Sequence, residues 1–189
     1  MYQKILANFA LHINLSTEEE AHVVSLLQET RIRKNQIVLR EGEVCKHIYF
    51  VSEGCLRMYH TDKQGNEHNM LFMPENWWAV DIASFSGEKP AFYNISALEN
   101  CRLLYLSYRV LEDLYMHNPK FERFFRILTQ NGFNLYQHRI TSSLSLTARE
   151  RYLDFRWRYP GLELRIAQKH IASYLAITPV FLSRLRQGL

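Results

Sequence analysis

The sequence is poor in the residues that punctuate or staple irregular chains, with 7 Gly, 5 Pro and 3 Cys among 189 residues. So little glycine and proline excludes collagen-like and low-complexity chains, whose backbones depend on them. The cysteines, Cys45, Cys55 and Cys101, are odd in number and lack a C-x-x-C spacing. That argues against a disulfide framework or a zinc knuckle, and for reduced thiols in a cytoplasm. No run approaches the roughly 18 apolar residues that span a bilayer, so no membrane partner is expected. The opening Met1-Tyr2-Gln3-Lys4-Ile5-Leu6 lacks the apolar core and cleavage site of a signal peptide. The patterns G-x-S-x-G, H-E-x-x-H and G-x-x-x-x-G-K-[ST] are all missing, and nothing recommends an enzyme.

What is present suits a globular protein: 47% hydrophobic and 22% charged residues, with 11 Phe, 11 Tyr and 3 Trp to fill a core. The net charge of +4 is unevenly spread. Residues 145–189 carry eight Lys or Arg against three acids, a balance of +5, whereas residues 1–144 carry 15 basic and 16 acidic residues, a balance of −1. A positive segment on a near-neutral body suggests a polyanionic partner, although a solvated basic face accounts for the charge alone equally well.

Ser16-Thr17-Glu18-Glu19 is a capping box opening a helix that carries Ala21, Val24 and Leu27. From about Asn35 the period shortens. Ile37–Leu39, Ile48–Val51, Leu56–Tyr59, Asn69–Phe72, Ile95–Leu98 and Arg102–Leu106 are short strand-like runs with turn residues between them, as in a barrel or sandwich. After Ser107 the pattern is helical again. Phe121, Leu128 and Leu135 recur every seven residues behind Pro119, with Phe124, Phe125, Ile127 and Ile140 widening the stripe. Such a repeat commonly pairs with a copy of itself, and Gly132 would permit close approach of that partner; packing within its own domain is the other reading. Ser142–Thr147 supplies a polar hinge, and a further helix runs to about Tyr159, where Pro160-Gly161 stops it.

The most specific motif lies at Gln168–Gln187. A helix-turn-helix needs a small residue where its helices cross, which Ala172 supplies, and a small residue at the tight turn, where Ala176 stands. Ile171, Leu175, Ile177, Leu182 and Leu185 have the spacing to lock the helices together, Thr178 is a good N-cap, and Pro179 suits the first helical position. Val180, Phe181, Ser183, Arg184, Arg186 and Gln187 would be exposed. Ser183 and Arg184 can reach base edges, arginine being the commonest reader of guanine. Lys169 and Arg186 suit phosphate positioning. The second helix starts only ten residues before the sequence ends, so any wing is expected to be short or truncated.

With that motif, and with Glu41-Gly42-Glu43, Tyr49-Phe50-Val51, Gly54 and Leu56-Arg57, the chain resembles the Crp/Fnr (catabolite-activator-like) regulators over nearly its whole length. The resemblance implies an α+β fold: an antiparallel β-roll with flanking helices, a long dimerisation helix and a C-terminal helix-turn-helix of the winged type. The implied domains are 1–118, 119–144 and 145–189. It also implies homodimers on double-stranded DNA with recognition helices about 34 Å apart, an effector-gated sensor, and RNA polymerase as a further partner. On this resemblance the recognition-helix arginine falls on Arg184 and the phosphate contact near Lys169.

In nucleotide-binding members a cassette reads roughly Phe-Gly-Glu and, about ten residues on, Arg-Ser/Thr-Ala. Here Asp81 stands in for the acid, Val80 replaces the glycine, and Ala91 falls where the arginine belongs. Lys89 is the nearest cation and cannot reproduce a bidentate fork. The expectation is therefore no useful affinity for cAMP, and an effector pocket of unknown specificity built from Trp78, Asp81, Ser84, Phe85, Lys89, Phe92 and Tyr93; plain core packing of the aromatics is the competing reading. No cofactor is identified. Iron–sulfur members carry clustered N-terminal cysteines, absent here before Cys45, and the histidines are too scattered to recommend a haem. His60 and His68 flank the Asp62–Asn66 turn without a third ligand. The rival reading is a cyclic-nucleotide-binding-like signalling or protein-docking module without specific DNA binding.

Overall fold

The computed structural model describes residues 2–187, which divide into two compact units: residues 2–58 with 72–130, and residues 59–71 with 131–187. Helices α1 (Tyr2–Ala10) and α2 (Thr17–Leu26), both in the first unit, precede eight short strands, of which β4 and β5 run on into the second unit. The capping box at α2 is present: Ser16 Oγ accepts from the Glu19 amide at 3.3 Å, and Glu19 Oε2 accepts from the Ser16 amide at 2.7 Å. The strands are β1 (Gln28–Ile32), β2 (Ile37–Leu39), β3 (His47–Glu53), β4 (Leu56–Thr61), β5 (Glu67–Met73), β6 (Trp78–Ala79), β7 (Asn94–Ala97) and β8 (Cys101–Ser107), with helix α3 (Ile82–Gly87) between β6 and β7. They form two four-stranded sheets ordered β1-β8-β3-β6 and β2-β7-β4-β5. In the first sheet β8 pairs antiparallel with both β1 and β3, bringing Phe50 opposite Leu104 and Val51 opposite Leu103. Helix α4 (Tyr108–His117) follows β8 directly.

Aromatic packing closes this unit. Phe9 of α1 meets Phe121 and Phe124 edge-on at 5.2 and 4.8 Å, and Trp78 lies 5.3 Å from Phe50 and 5.1 Å from Phe125. The first turns of α5 (Pro119–Ser145) are thus buried against their own unit, where such rings contribute both area and edge-to-face attraction. The first member of the seven-residue repeat, Phe121, is a core residue here. Strand β1, absent from the sequence reading, is polar and largely exposed, so it shows no alternation to detect.

The second unit holds the rest of α5, α6 (Ala148–Arg158), a single 3-10 turn (Leu162–Leu164), α7 (Gln168–Tyr174) and α8 (Pro179–Gln187), together with the β4–β5 tip. Thr147 and Glu150 form a second capping box at α6, and Gly161 adopts φ +73° where that helix has ended. Its core gathers Phe155, Tyr159 and Tyr174, with ring centroids 5.4–5.8 Å apart. Helix α5 ends at Ser145, and the compact units part at 130/131, the second one including 59–71.

Two backbone positions are decisive. Gly54, between β3 and β4, has φ +88°, and a Cβ there would lie 2.5 Å from the Asn100 carbonyl oxygen and 2.8 Å from Cys101 Sγ. Ala176 holds the α7–α8 turn at φ +53°, a conformation that opposes any Cβ. Gly54→Ala is expected to lower unfolding free energy by about 2–4 kcal/mol, strain and overpacking acting together, as read by urea denaturation. Ala176→Gly, at an exposed site, is expected to raise it by about 0.5–1 kcal/mol, relief of strain exceeding the entropy lost.

Candidate nucleic-acid interface

The turn joining α7 to α8 is tied at each step. The Leu175 amide donates to Ile171 O at 2.9 Å, Ala176 to Ser173 O at 3.1 Å, and Ile177 to Ala172 O at 3.0 Å. Thr178 caps α8, its Oγ1 accepting from the Phe181 amide at 3.1 Å. Ile171, Ala172, Leu175 and Leu182 are buried, so the two short helices share an apolar face. The opposite face of α8 is open. Val180 is 64% exposed, Ser183 and Arg184 are exposed, and Arg186 is half-buried, while Lys169 is exposed on the first turn of α7. Of the residues expected to meet DNA, Thr178 is also committed to its capping bond.

Two arginines that the sequence reading passed over hold the end of α7. Arg139 of α5 donates from Nη2 to Tyr174 O at 3.1 Å and lies 3.6 Å over the Tyr174 ring. Arg151 donates from Nε to Leu175 O at 3.2 Å. Both place positive charge at a helix C-terminus, where unpaired carbonyls and the helix dipole favour it. Burial pushes the Tyr174 hydroxyl above its ordinary range. The one signal in the sequence was that Arg139 has no acid three or four residues away along its helix.

In the cassette, Asp81 is buried and both its oxygens are engaged. Oδ1 accepts from the Ser84 amide at 3.1 Å, capping α3, and Oδ2 accepts from the Phe92 and Tyr93 amides at 3.1 and 3.3 Å. Ser84 Oγ accepts from the Cys45 amide at 2.8 Å and donates to Lys89 O. Ala91 is buried and bonded through its backbone to the turn at Gly42 and Glu43, both at 2.8 Å. Trp78 belongs to the aromatic core and donates to Asn8 Oδ1 at 2.9 Å, and Phe85 is buried edge-on to Tyr108 at 5.4 Å. Lys89 and Phe92 are exposed, with Tyr93 half-buried beside Phe92. The expected effector residues thus divide between core and surface. A cavity of about 480 Å³ in this unit is lined by Val38, Leu39, Glu43, Val44, Cys45, Lys46, His47 and Tyr49, a set that contains none of them. Burial pushes the Tyr49 hydroxyl up to about 12. The roll also buries a guanidinium: Arg57 of β4 donates from Nε to Ser96 Oγ at 3.0 Å. Its signal was a lone arginine inside an apolar strand.

His68 Nε2 lies 2.8 Å from Asp62 Oδ2, and that contact, chief among several hydrogen bonds, holds the Asp62 carboxyl well below the usual range. The imidazole therefore has an acid partner within the turn. Among the described residues no group of three or more His, Cys, Asp or Glu could hold a metal ion, and no helix is long and apolar enough to cross a membrane. The three cysteines are free and buried, and desolvation lifts the Cys101 thiol to about 11.

Residues 29–118 match the cyclic nucleotide-binding domain family. The regulatory protein HlyX of Actinobacillus pleuropneumoniae is 23% identical over 193 aligned positions, covering 95% of this chain and 79% of that protein. FixK2 from Bradyrhizobium japonicum superposes with a TM-score of 0.75 at 19% identity, covering 86% of this chain and 84% of that one. A regulator from Eubacterium rectale, assigned to the Crp/Fnr family, gives a TM-score of 0.70 at 17% identity, covering 92% and 82%. The chain thus carries a match to the cyclic nucleotide-binding domain over residues 29–118, is similar in sequence to HlyX over 95% of its length, and shares its fold with these two solved structures.

Proposed function

We propose that this chain is a cytoplasmic DNA-binding transcription regulator of the Crp/Fnr type that acts as a homodimer. The observation that carries the reading is the free outer face of α8, where Ser183 and Arg184 point away from a buried seam. Arg184 reads a base edge, with Ser183 and Val180 beside it. Lys169 and Arg186 meet phosphates and fix the register, as does the capped N-terminus of α8 at Thr178. The second copy covers the later part of α5, where Phe133, Ile140 and Leu144 are 61%, 60% and 83% exposed. Three large apolar side chains on one long helix are costly to leave in water, and a self-complementary seam removes that cost. RNA polymerase is a further partner that this reading implies.

The sensor is gated by a small molecule other than cAMP. Three features support this. Asp81, the candidate acid for a ribose hydroxyl, already accepts three backbone amides. Ala91 offers no cation, and Lys89 is exposed to solvent. A cyclic phosphate entering here would lose its charge-assisted partners, each worth about 1.5–3 kcal/mol. The effector shifts a population between DNA-competent and incompetent arrangements by binding one more tightly.

Three outcomes are expected. Arg184→Ala loses about 1–3 kcal/mol on the cognate duplex and relaxes preference at one base pair, whereas Lys169→Ala weakens all duplexes alike, both read by fluorescence anisotropy on cognate and scrambled DNA. Equal, sequence-blind losses would overturn the roles. Ile140→Glu shifts the chain from dimer to monomer in sedimentation velocity; an unchanged sedimentation coefficient would remove α5 from the interface. Calorimetric titration with cAMP gives no saturable heat, and a micromolar site would contradict the degenerate cassette.

A further inference from the structure

We propose that Asn69 of β5, 101 residues before His170 in sequence, is a positioning residue for DNA binding. The proposal rests on the DNA-binding reading above. Strand β5 is the edge of its sheet, so the backbone groups on its outer side have no strand partner. Within the second unit α7 supplies one. The Asn69 amide donates to Ser173 Oγ at 3.0 Å, and the same hydroxyl donates to Glu67 O at 2.7 Å. Ser173 thus serves two alternate backbone positions of the strand, as a neighbouring strand would. The Asn69 side chain completes the contact, its Nδ2 donating to His170 O at 3.2 Å. Asn69 is 3% exposed, and a buried amide loses heavily when its partner is removed.

The consequence is mechanical. His170 and Ser173 lie three residues apart on one side of α7, while Arg139 and Arg151 hold the carbonyls at its C-terminal end. Helix α7 is fixed by directional polar bonds, and α8 packs on α7 through the seam at Ala172 and Leu182. Whatever orients α7 therefore orients Arg184. A loosened α7–α8 pair must be ordered at the moment of binding, which costs affinity without touching the base-reading contact.

The test uses the full chain with spin labels at Lys63→Cys and Gln187→Cys, both exposed positions; the native cysteines are buried. Pulsed dipolar spectroscopy reads the spread of hairpin-to-α8 distances. Asn69→Ala and Ser173→Ala are expected to at least double that spread, and Ser173→Thr, which keeps the hydroxyl, to leave it narrow. Cognate affinity falls by about three- to tenfold in the two alanine variants, the worth of one or two net hydrogen bonds, with the ratio of cognate to scrambled binding unchanged. An unchanged spread in both alanine variants, or a loss of preference in place of uniform weakening, overturns the proposal. Should the unsubstituted chain bind no DNA, the function reading fails, while the distance measurement still decides whether Asn69 holds α7. Ser173→Ala replaces serine by a better helix former, so it keeps the test available if Asn69→Ala fails to fold.

Discussion

Helix α8 is placed by an apolar seam: Ile171, Ala172, Leu175 and Leu182 are all buried between or beside the two short helices. A side chain larger than alanine at 172 would force them apart, and every property of the outer face of α8 depends on that spacing. Short helices are marginal alone, so their stability comes from packing. Here Thr178 and the arginines on the Tyr174 and Leu175 carbonyls satisfy the backbone groups that such short helices leave unpaired.

The first unit is organised around a different constraint, a buried carboxylate. Asp81 costs free energy to desolvate and is stable in the core because three amides point at it. In doing so it ties α3 to the segment at Phe92–Tyr93, so that loop is braced by the protein itself. Cys45 lines the cavity of this unit, and its amide donates to Ser84 Oγ. One serine therefore connects the wall of that cavity to the braced loop.

Much of this was legible in the residues, and the exceptions have physical causes. Strands with alternating or continuous apolar character were readable, as were the N-caps at Ser16 and Thr178 and the stop at Pro160-Gly161. Strand β1 and the two-residue β6 carry too few side chains of one kind to show a period. The helix-turn-helix could be read because its spacing is local, with every determinant inside twenty residues. Asn69 could not, since it acts on a residue 101 positions away through a backbone acceptor that no pattern marks, and Arg139, 35 positions from its acceptor, showed only the lack of an acid near it on its helix. The cassette was read by correspondence, which located Asp81 and Ala91 but could not show that Trp78 joins the aromatic core or that Phe92 stands exposed.

The central claim is that a basic outer face on the second unit meets a duplex. It is tested most directly by measuring the affinity of the unmodified chain for a duplex as salt is varied from about 50 to 200 mM. Several phosphate contacts per dimer require log K to fall linearly with log salt, at about 0.9 per contact, a loss of a hundredfold or more. An affinity for DNA that is flat across that range, or absent at its low end, would contradict the account.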